Sequence, residues 1–192
     1  PDHSPLSYAQ QRLWCLHQLE GPSSTYNLPA AHRQPGDLAV VSLRLPIGDV
    51  VARHESLRTT FAEDEEHGPH QIVRPVGEAV VPFTVREADA DDVSALIAEA
   101  TGRGFDLTSE IPIRASLFRI TDEEHVLLLL IHHIASDAWS RTPLAHDLTT
   151  AYTTRTTNNS ATHWEPLPVQ YADYALWQRQ LLGNDTDLTT TD

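Results

Sequence analysis

Six consecutive apolar residues, from Val126 to Ile131, form the longest uninterrupted hydrophobic run in the sequence, and two histidines follow it directly. Because neighbouring side chains of a strand point to opposite faces, a strand made of this run is apolar on both faces. The sequence therefore predicts a central, fully buried strand over residues 125–134. The run is much too short to cross a bilayer, which needs about 20 apolar residues.

Composition is typical of a folded, soluble protein. The 192 residues suffice for one domain with a hydrophobic core or for a large subdomain, and 40% of them are apolar. The formal net charge of −14 argues against nucleic acid as a partner, because phosphate recognition needs clustered cationic side chains. We expect neither a secretory signal nor a membrane span.

Cysteine and methionine usage bears on the origin of the chain. The single cysteine, Cys15, cannot form an internal disulfide, which favours a reducing compartment such as the cytoplasm. Because Cys15 falls among apolar residues of a predicted helix, we expect a buried structural thiol rather than a nucleophile. The absence of methionine indicates a piece of a longer polypeptide, and the use of arginine as the sole basic residue suggests a bacterial genome rich in G and C.

The first third of the chain predicts two helices. Ser7 and Gln10 have the spacing of a capping box, which begins a helix that ends at Gly21. Asp37 is the predicted cap of the second helix, and Pro46 predicts a kink or break there, because a proline inside a helix costs about 3 kcal/mol. The residues predicted to share the apolar face of the first helix are Ala9, Leu13, Leu16 and Leu19.

The rest of the pattern alternates strands and helices. In order, the predicted elements are strands over 71–76 and 80–86, a helix over 91–101, strands over 113–120 and 125–134, a helix carrying Leu144, Leu148 and Tyr152, a polar connection over 153–168, and a helix over 170–182. The tail over 184–192 is rich in Thr and Asp, and we expect it to be frayed or disordered. We expect Trp14, Tyr174 and Trp177 to pack in the core.

The segment from His132 to Ser140 carries the most informative chemistry. It places two imidazoles and the carboxylate of Asp137 where a buried strand meets a loop, and side chains held there by a rigid scaffold can reach a cleft. A neutral imidazole accepts a proton near neutral pH, which suits catalysis. The alternatives are polar residues that face solvent or satisfy a core hydrogen bond, and a metal site. A metal ion shared by His132 and His133 is disfavoured, because adjacent strand residues point to opposite faces.

Besides the segment from His132 to Ser140, three further segments are informative: Ser7 to Trp14, Arg53 to Phe61, and Tyr171 to Gln178. Together, in this order, the four segments resemble motifs of the condensation domains of nonribosomal peptide synthetases, members of the chloramphenicol acetyltransferase-like superfamily. The resemblance covers nearly the whole chain. It implies an α+β fold, a two-layer α/β sandwich with a mixed sheet that forms one lobe of a chloramphenicol acetyltransferase-like fold.

The resemblance also implies roles for the residues of the His132 segment. His133 would assist the attack of an acceptor aminoacyl amine on a donor thioester, and both substrates would arrive on the phosphopantetheine arms of carrier proteins. His132 and Asp137 would hold the loop, with Asp137 paired to Arg58. The alternative for Arg58 is an ordinary solvated charge.

Ala138, Trp139 and Ser140 complete this segment as residues that position the active site. The family pattern has glycine where this chain has Ala138. If that position requires a positive φ, the methyl group costs about 1 kcal/mol or shifts the loop. If a substrate passes close to the backbone there, the methyl group narrows the channel. Either effect lowers activity.

The chain ends soon after the fourth segment, so the resemblance implies the N-terminal subdomain alone, over residues 1–183. We expect this part to be inactive by itself and to expose an apolar surface where the missing C-terminal condensation subdomain docks. The expected partners are donor and acceptor peptidyl carrier proteins and that subdomain, with no metal and no directly bound cofactor. Two alternatives are a degenerate module that only recruits carrier proteins or tailoring enzymes, and a free-standing acyltransferase that uses a soluble thioester.

Overall fold

The computed structural model describes residues 3–36 and 41–183. Asp37, the predicted helix cap, and the predicted tail over 184–192 lie outside the described residues. The elements are β1 (Ser4–Pro5), α1 (Tyr8–Glu20), β2 (Asn27–Pro35), α2 (Val41–Arg53), β3 (Thr59–Asp64), β4 (Gly68–Val73), β5 (Phe83–Glu87), α3 (Val93–Thr101), β6 (Ile113–Thr121), β7 (Glu124–His132), α4 (Arg141–Asn158) and α5 (Tyr171–Leu182). A 3-10 helical turn, Glu55–Arg58, joins α2 to β3.

The described strands form two sheets. The larger sheet has the order β2-β7-β6-β5, in which β5 runs parallel to β6 and the other neighbours are antiparallel. The smaller sheet is antiparallel and has the order β1-β4-β3. This arrangement confirms the predicted α+β fold with a mixed sheet.

Strand β7 lies inside the larger sheet, and its apolar run is buried on both faces, as predicted. On one face, Leu127 and Leu129 belong to a cluster with residues of α2. On the other, Leu128 clusters with Val93 of α3, and Leu130 clusters with residues of α1. Helices thus pack against both faces of this sheet and hold the end of β7 from both sides.

The capping box at the start of α1 is confirmed. The Ser7 hydroxyl accepts the backbone N–H of Gln10 at 3.1 Å, and the side-chain oxygen of Gln10 accepts the backbone N–H of Ser7 at 2.9 Å. Gln10 is buried and donates its side-chain amide to Gln71 of β4 at 3.3 Å. These bonds tie the first turn of α1 to the smaller sheet.

The predicted apolar face of α1 is wrong in part. Leu13 and Trp14 are buried, whereas Ala9 and Leu19 are exposed. An indole buries far more apolar area than Ala9 can, so the helix turns its Leu13–Trp14 side to the core. Cys15 then points outward and is exposed, which corrects the prediction of a buried thiol.

Helix α2 continues through Pro46 without the predicted break. The proline removes one backbone hydrogen bond in the second turn of the helix. Beyond it, Ile47, Val50 and Val51 are all buried against the core. Burial of these side chains offsets the local cost, at about 1.5–3 kcal/mol for each fully buried aliphatic side chain.

Other elements also differ from the sequence prediction, and strands β1 and β3 were not predicted. Strand β2 was not predicted, because Pro29 and Pro35 lie in it and its residues are mostly exposed at the edge of the sheet. Helix α4 extends to Asn158, into the predicted polar connection. Threonine hydroxyls along α4 donate to carbonyls one turn back, and Arg155 pairs with Asp49 of α2 at 2.6 Å. The Arg155–Asp49 pair helps to hold a helix that threonine propensity and this back-bonding disfavour.

No helix in the described part of the chain is long and apolar enough to cross a membrane.

Candidate active site

The predicted site lies where β7 ends and a turn leads into α4. His132 is the last residue of β7, and its backbone N–H donates to the carbonyl of Pro112 at 3.0 Å. The backbone N–H of His133 donates to the carbonyl of Tyr26, just before β2, at 2.8 Å. The start of the turn is therefore bonded to the chain on both sides of β7.

His132 is a buried, neutral residue that shapes the turn. Its ring is edge-on to Phe105, and its Nδ1 accepts the backbone N–H of Ile134 at 3.1 Å. Burial, with smaller contributions from the charges of His17 and His133, lowers the pKa of His132 to about 4. The ring is thus uncharged at neutral pH and carries its proton on Nε2.

His133 is exposed, and its ring has the opposite tautomer. Its Nδ1 lies 2.7 Å from the carbonyl oxygen of Ser136. A carbonyl only accepts, so in the neutral ring Nδ1 carries the proton and Nε2 keeps an unshared electron pair. Such a nitrogen can take a proton from a nucleophile or stabilise a developing positive charge beside it.

Asp137 and Ser140 bond to each other immediately before α4. The carboxylate of Asp137 accepts the backbone N–H of Ser140 at 2.8 Å and its hydroxyl at 2.6 Å. In return, the Ser140 hydroxyl accepts the backbone N–H of Asp137 at 3.2 Å. The hydroxyl of Ser140 is the main cause that lowers the pKa of Asp137, with further contributions from backbone N–H groups and the charge of His133.

The predicted pairing of Asp137 with Arg58 is wrong. Arg58 donates to the carbonyl of Arg74 at 2.5 Å and to the carboxylate of Glu55 at 3.2 Å. Arg58 lies in the 3-10 turn before β3, so it braces the β3–β4 hairpin. Asp137 is instead satisfied by its own loop, which a carboxylate near a helix start readily achieves.

Ala138 and Trp139 are exposed between these two residues, with Trp139 at 88%. Among the described residues, Asn159 is the only non-glycine residue with a positive φ. Ala138 therefore has an ordinary backbone conformation, and the methyl group causes no strain of the kind that a glycine would relieve.

The segment from Arg53 to Phe61 reaches the helix that follows the site. Arg53 Nε and His54 Nε2 lie 2.9 and 2.8 Å from the carboxylate of Asp147, which is on α4. Burial raises the pKa of Asp147, but hydrogen bonds from His54 and His146 and the charge of Arg53 hold it below its ordinary value. The sequence analysis missed Asp147, because nothing local marks it in the helical pattern.

Sequence reasoning also missed the backbone groups that fix the two histidines. The carbonyls of Tyr26 and Ser136 bond to His133, and backbone groups of Pro112 and Ile134 bond to His132. Residue type does not indicate where such backbone groups lie. Of the predicted core aromatics, Trp14 is buried, but Tyr174 and Trp177 are 37% and 55% exposed on α5. Among the residues that the structure describes, no three His, Cys, Asp or Glu side chains group as a metal site.

Comparison with known proteins agrees with the resemblance of the four sequence segments. The family model described as "Condensation domain" matches residues 1–190. The chain is 54% identical, over 97% of its length, to the probable non-canonical nonribosomal peptide synthetase CymA of Salinispora arenicola, of which it covers 2%.

Two solved structures show the same fold as this chain. The X-domain from teicoplanin biosynthesis matches 99% of the chain at 37% identity, with a TM-score of 0.87. The same X-domain in complex with OxyB matches 97% of it at 36% identity, with a TM-score of 0.86. The chain spans about two fifths of these solved chains, 41% and 40%.

Proposed function

Because the chain belongs to the condensation-domain family, we propose that it is the N-terminal lobe of a domain that forms amide bonds in nonribosomal peptide synthesis. The observation that carries the proposal is the hydrogen bond from Nδ1 of His133 to Ser136. It leaves Nε2 of an exposed histidine with a free electron pair, which is the form required of a general base.

In the proposed reaction, the amine of the acceptor attacks the carbonyl carbon of the donor thioester. A C–N bond forms, the donor C–S bond breaks, and the proton released by the amine ends on the departing thiol. Nε2 of His133 either carries that proton or stabilises the charged intermediate until it is transferred. Both uses need a neutral imidazole that is held in one orientation.

The neighbouring residues position this imidazole. His132 fixes the backbone of the turn through Ile134, and Asp137 and Ser140 fix the point where the turn becomes α4. Trp139, which is 88% exposed, is available to line a substrate channel. Arg58 contributes indirectly, by holding the β3–β4 hairpin.

The proposed substrates arrive on the phosphopantetheine arms of a donor and an acceptor carrier protein. The chain spans about two fifths of the solved chains that it matches, so the complete site includes the C-terminal condensation subdomain. That subdomain would close both channels and exclude water from the thioester. The single cysteine favours a reducing compartment such as the cytoplasm.

A recruitment module is the second candidate function. It is favoured by the 36% identity to an X-domain that is solved in complex with OxyB, and by Ala138 in place of the glycine of the family pattern. In this case the chain would bind a tailoring enzyme or a carrier protein and form no amide bond. The intact His132, His133 and Asp137 favour the catalytic function.

The two candidates are separated by reconstitution. The domain that contains this chain is mixed with loaded donor and acceptor carrier proteins, and intact mass reports whether a dipeptide forms on the acceptor. Product from the natural domain supports catalysis. No product from either the natural domain or its Ala138→Gly variant, with both carriers correctly loaded, contradicts catalysis and favours recruitment.

A further inference from the structure

A small cavity lies beside the end of β7, between α1, the turn that follows α1, and His132. Its walls include His17 of α1, Ser23 and Tyr26 of the following turn, and the ring of His132. The space open to the centre of a water molecule is about 10 Å³. That volume admits about one water molecule, and the polar side chains around it offer the hydrogen-bond partners that a buried water needs.

The buried face of His132 presents a donor to this cavity. Because Nδ1 accepts the N–H of Ile134, the neutral ring carries its remaining proton on Nε2. Within the described residues, no protein acceptor bonds to that Nε2–H. A bridging group in the cavity that accepts this proton would stabilise this tautomer.

His17 is suited to supply the acceptor. Its ring stacks on Trp14 with the ring centres 5.6 Å apart, which fixes its plane beside the cavity. Burial lowers the pKa of His17, although the charge of Asp106 opposes this. A neutral imidazole has one nitrogen that accepts a hydrogen bond.

We propose that His17 is a positioning residue that accepts the Nε2–H of His132 through one water molecule in this cavity. The bridge fixes the ring of His132, whose Nδ1 in turn holds the backbone of the turn that presents His133. The hydrogen bond itself does not depend on the proposed function, whereas its consequence for catalysis does.

The turn that bounds the cavity is held by close backbone packing. A Cβ added to Gly104 would lie 2.6 Å from the carbonyl carbon of Pro22, so the loop after α3 touches the turn that bounds the cavity. The same turn ends at Tyr26, whose carbonyl accepts the N–H of His133. A shift of this turn would therefore move the Tyr26 carbonyl that bonds to the backbone of His133.

Spectroscopy of the complete domain tests the hydrogen bond without any need for activity. Histidine rings labelled with 15N report the tautomer of His132 and the exchange of its ring proton with solvent. We expect the Nε2–H tautomer and a slowly exchanging proton in the natural protein. The Nδ1–H tautomer, or a ring proton that exchanges at the rate of an exposed histidine, would overturn the proposal.

Variants then assign the acceptor. His17→Phe keeps the stacking on Trp14 but removes the acceptor, and His17→Gln keeps an acceptor. His163→Phe makes the same chemical change at an exposed histidine and is the control. We expect faster exchange of the His132 proton in His17→Phe, and natural exchange in His17→Gln and His163→Phe. Natural exchange in a folded His17→Phe protein would overturn the role of His17.

Kinetics test the consequence for His133. We expect His17→Phe to lower kcat for dipeptide formation on the order of tenfold, with KM for the loaded carriers unchanged, because a small misplacement of a catalytic group costs rate. His17→Gln should restore most of kcat. An unchanged kcat in a variant with altered exchange would overturn the catalytic consequence. If the natural domain forms no product but shows the expected His132 signal, the hydrogen bond stands and the proposed function fails.

Discussion

At His133, a single backbone carbonyl selects the chemistry available to the side chain. Nδ1 donates to Ser136, and Nε2 is left free on an exposed turn. At His132, the reverse tautomer and a pKa of about 4 keep a buried ring neutral. Two identical side chains in adjacent positions therefore have opposite tautomers and different surroundings, because one faces the core and the other faces solvent.

Substitution of Ser140 measures how much the hydrogen bonds of this turn contribute to the free energy of unfolding. Ser140→Ala removes both hydroxyl bonds to Asp137, so we expect the free energy of unfolding to fall by about 1 kcal/mol, the usual net contribution of a hydrogen bond. Urea unfolding measures this change. Ser160→Ala, an exposed serine beyond α4, is the matched control and should be neutral. Equal stability of the two variants would show that the Asp137–Ser140 bonds do not stabilise the start of α4.

The positions of the candidate site residues in the fold could be predicted from the sequence, but their hydrogen-bond partners could not. His132, His133, Asp137 and Ser140 lie together on one turn, as expected from their spacing. The Arg58–Asp137 pair, which was expected from the family resemblance, is wrong, because a nearer hydroxyl and N–H satisfy the carboxylate. Partners that are backbone groups depend on the path of the chain, which residue types do not reveal.

Among the elements, the contact between α2 and α4 holds α4 in place next to the candidate site. Asp147 of α4 accepts from Arg53 and His54 in a largely buried cluster. Because the carboxylate helps hold α4 against α2, it also supports the turn that precedes α4. A charged group in such a position contributes stability only while it is ionised.

Asp147→Asn should lower the free energy of unfolding by about 2 kcal/mol at pH 7, because Arg53 is left beside a neutral amide and His54 loses a charged hydrogen-bond partner. The folded-state pKa of Asp147 is lowered, so this contribution is complete above the unfolded-state pKa near 4 and is lost as the pH falls further. Urea unfolding at several pH values should show the difference between the variant and the natural protein shrinking below pH 4. The exposed Asp122→Asn is the control, and a difference independent of pH would contradict this account.

The loop after α3 offers a second test of element packing. Gly104→Ala places a methyl carbon 2.6 Å from the backbone of Pro22, so the loop or the turn must move. We expect a loss of about 1–3 kcal/mol, the usual range for overpacking. Gly77→Ala, where an added Cβ meets nothing within 4 Å, should change stability little. Thermal unfolding compares the two, and equal melting temperatures would contradict the close contact.

Elements with strong periodicity were predictable, and elements that depend on tertiary partners were not. The run from Val126 to Ile131 could only be a buried strand or a buried helix segment, and its length favours the strand. Strand β2 contains two prolines and exposed polar residues, so its pairing with β7 is visible only in the fold. The C-terminal half of α4 is held by Asp49 of α2, a partner far away in sequence.

At the scale of the whole molecule, the described residues bury a continuous core but leave α5 with an apolar surface. Trp177, Leu181 and Leu182 are 55%, 63% and 63% exposed. The inner side of α5 is tied to the N-terminal segment, where Arg179 donates to the carbonyl of Leu6 and Tyr171 bonds to Ser7. The first and fourth segments that carried the family resemblance therefore form one structural unit.

The chain by itself should form no dipeptide when it is mixed with both loaded carrier proteins. The chain spans about two fifths of the solved chains that it matches, so under the proposed function part of each substrate channel would lie outside it. Intact mass of the acceptor carrier measures the product, and the complete domain is the positive control. Product from this chain alone at the rate of the complete domain would contradict the need for a second lobe.

The central claim is that Nε2 of His133 takes part directly in amide formation. The most direct measurement is the single-turnover rate of dipeptide formation by the complete domain and by its His133→Gln variant, followed by intact mass with both carriers loaded. We predict a loss of about 10²–10⁴-fold in a variant that remains folded, the usual contribution of a general base. A folded His133→Gln domain that forms dipeptide within threefold of the natural rate would contradict the claim.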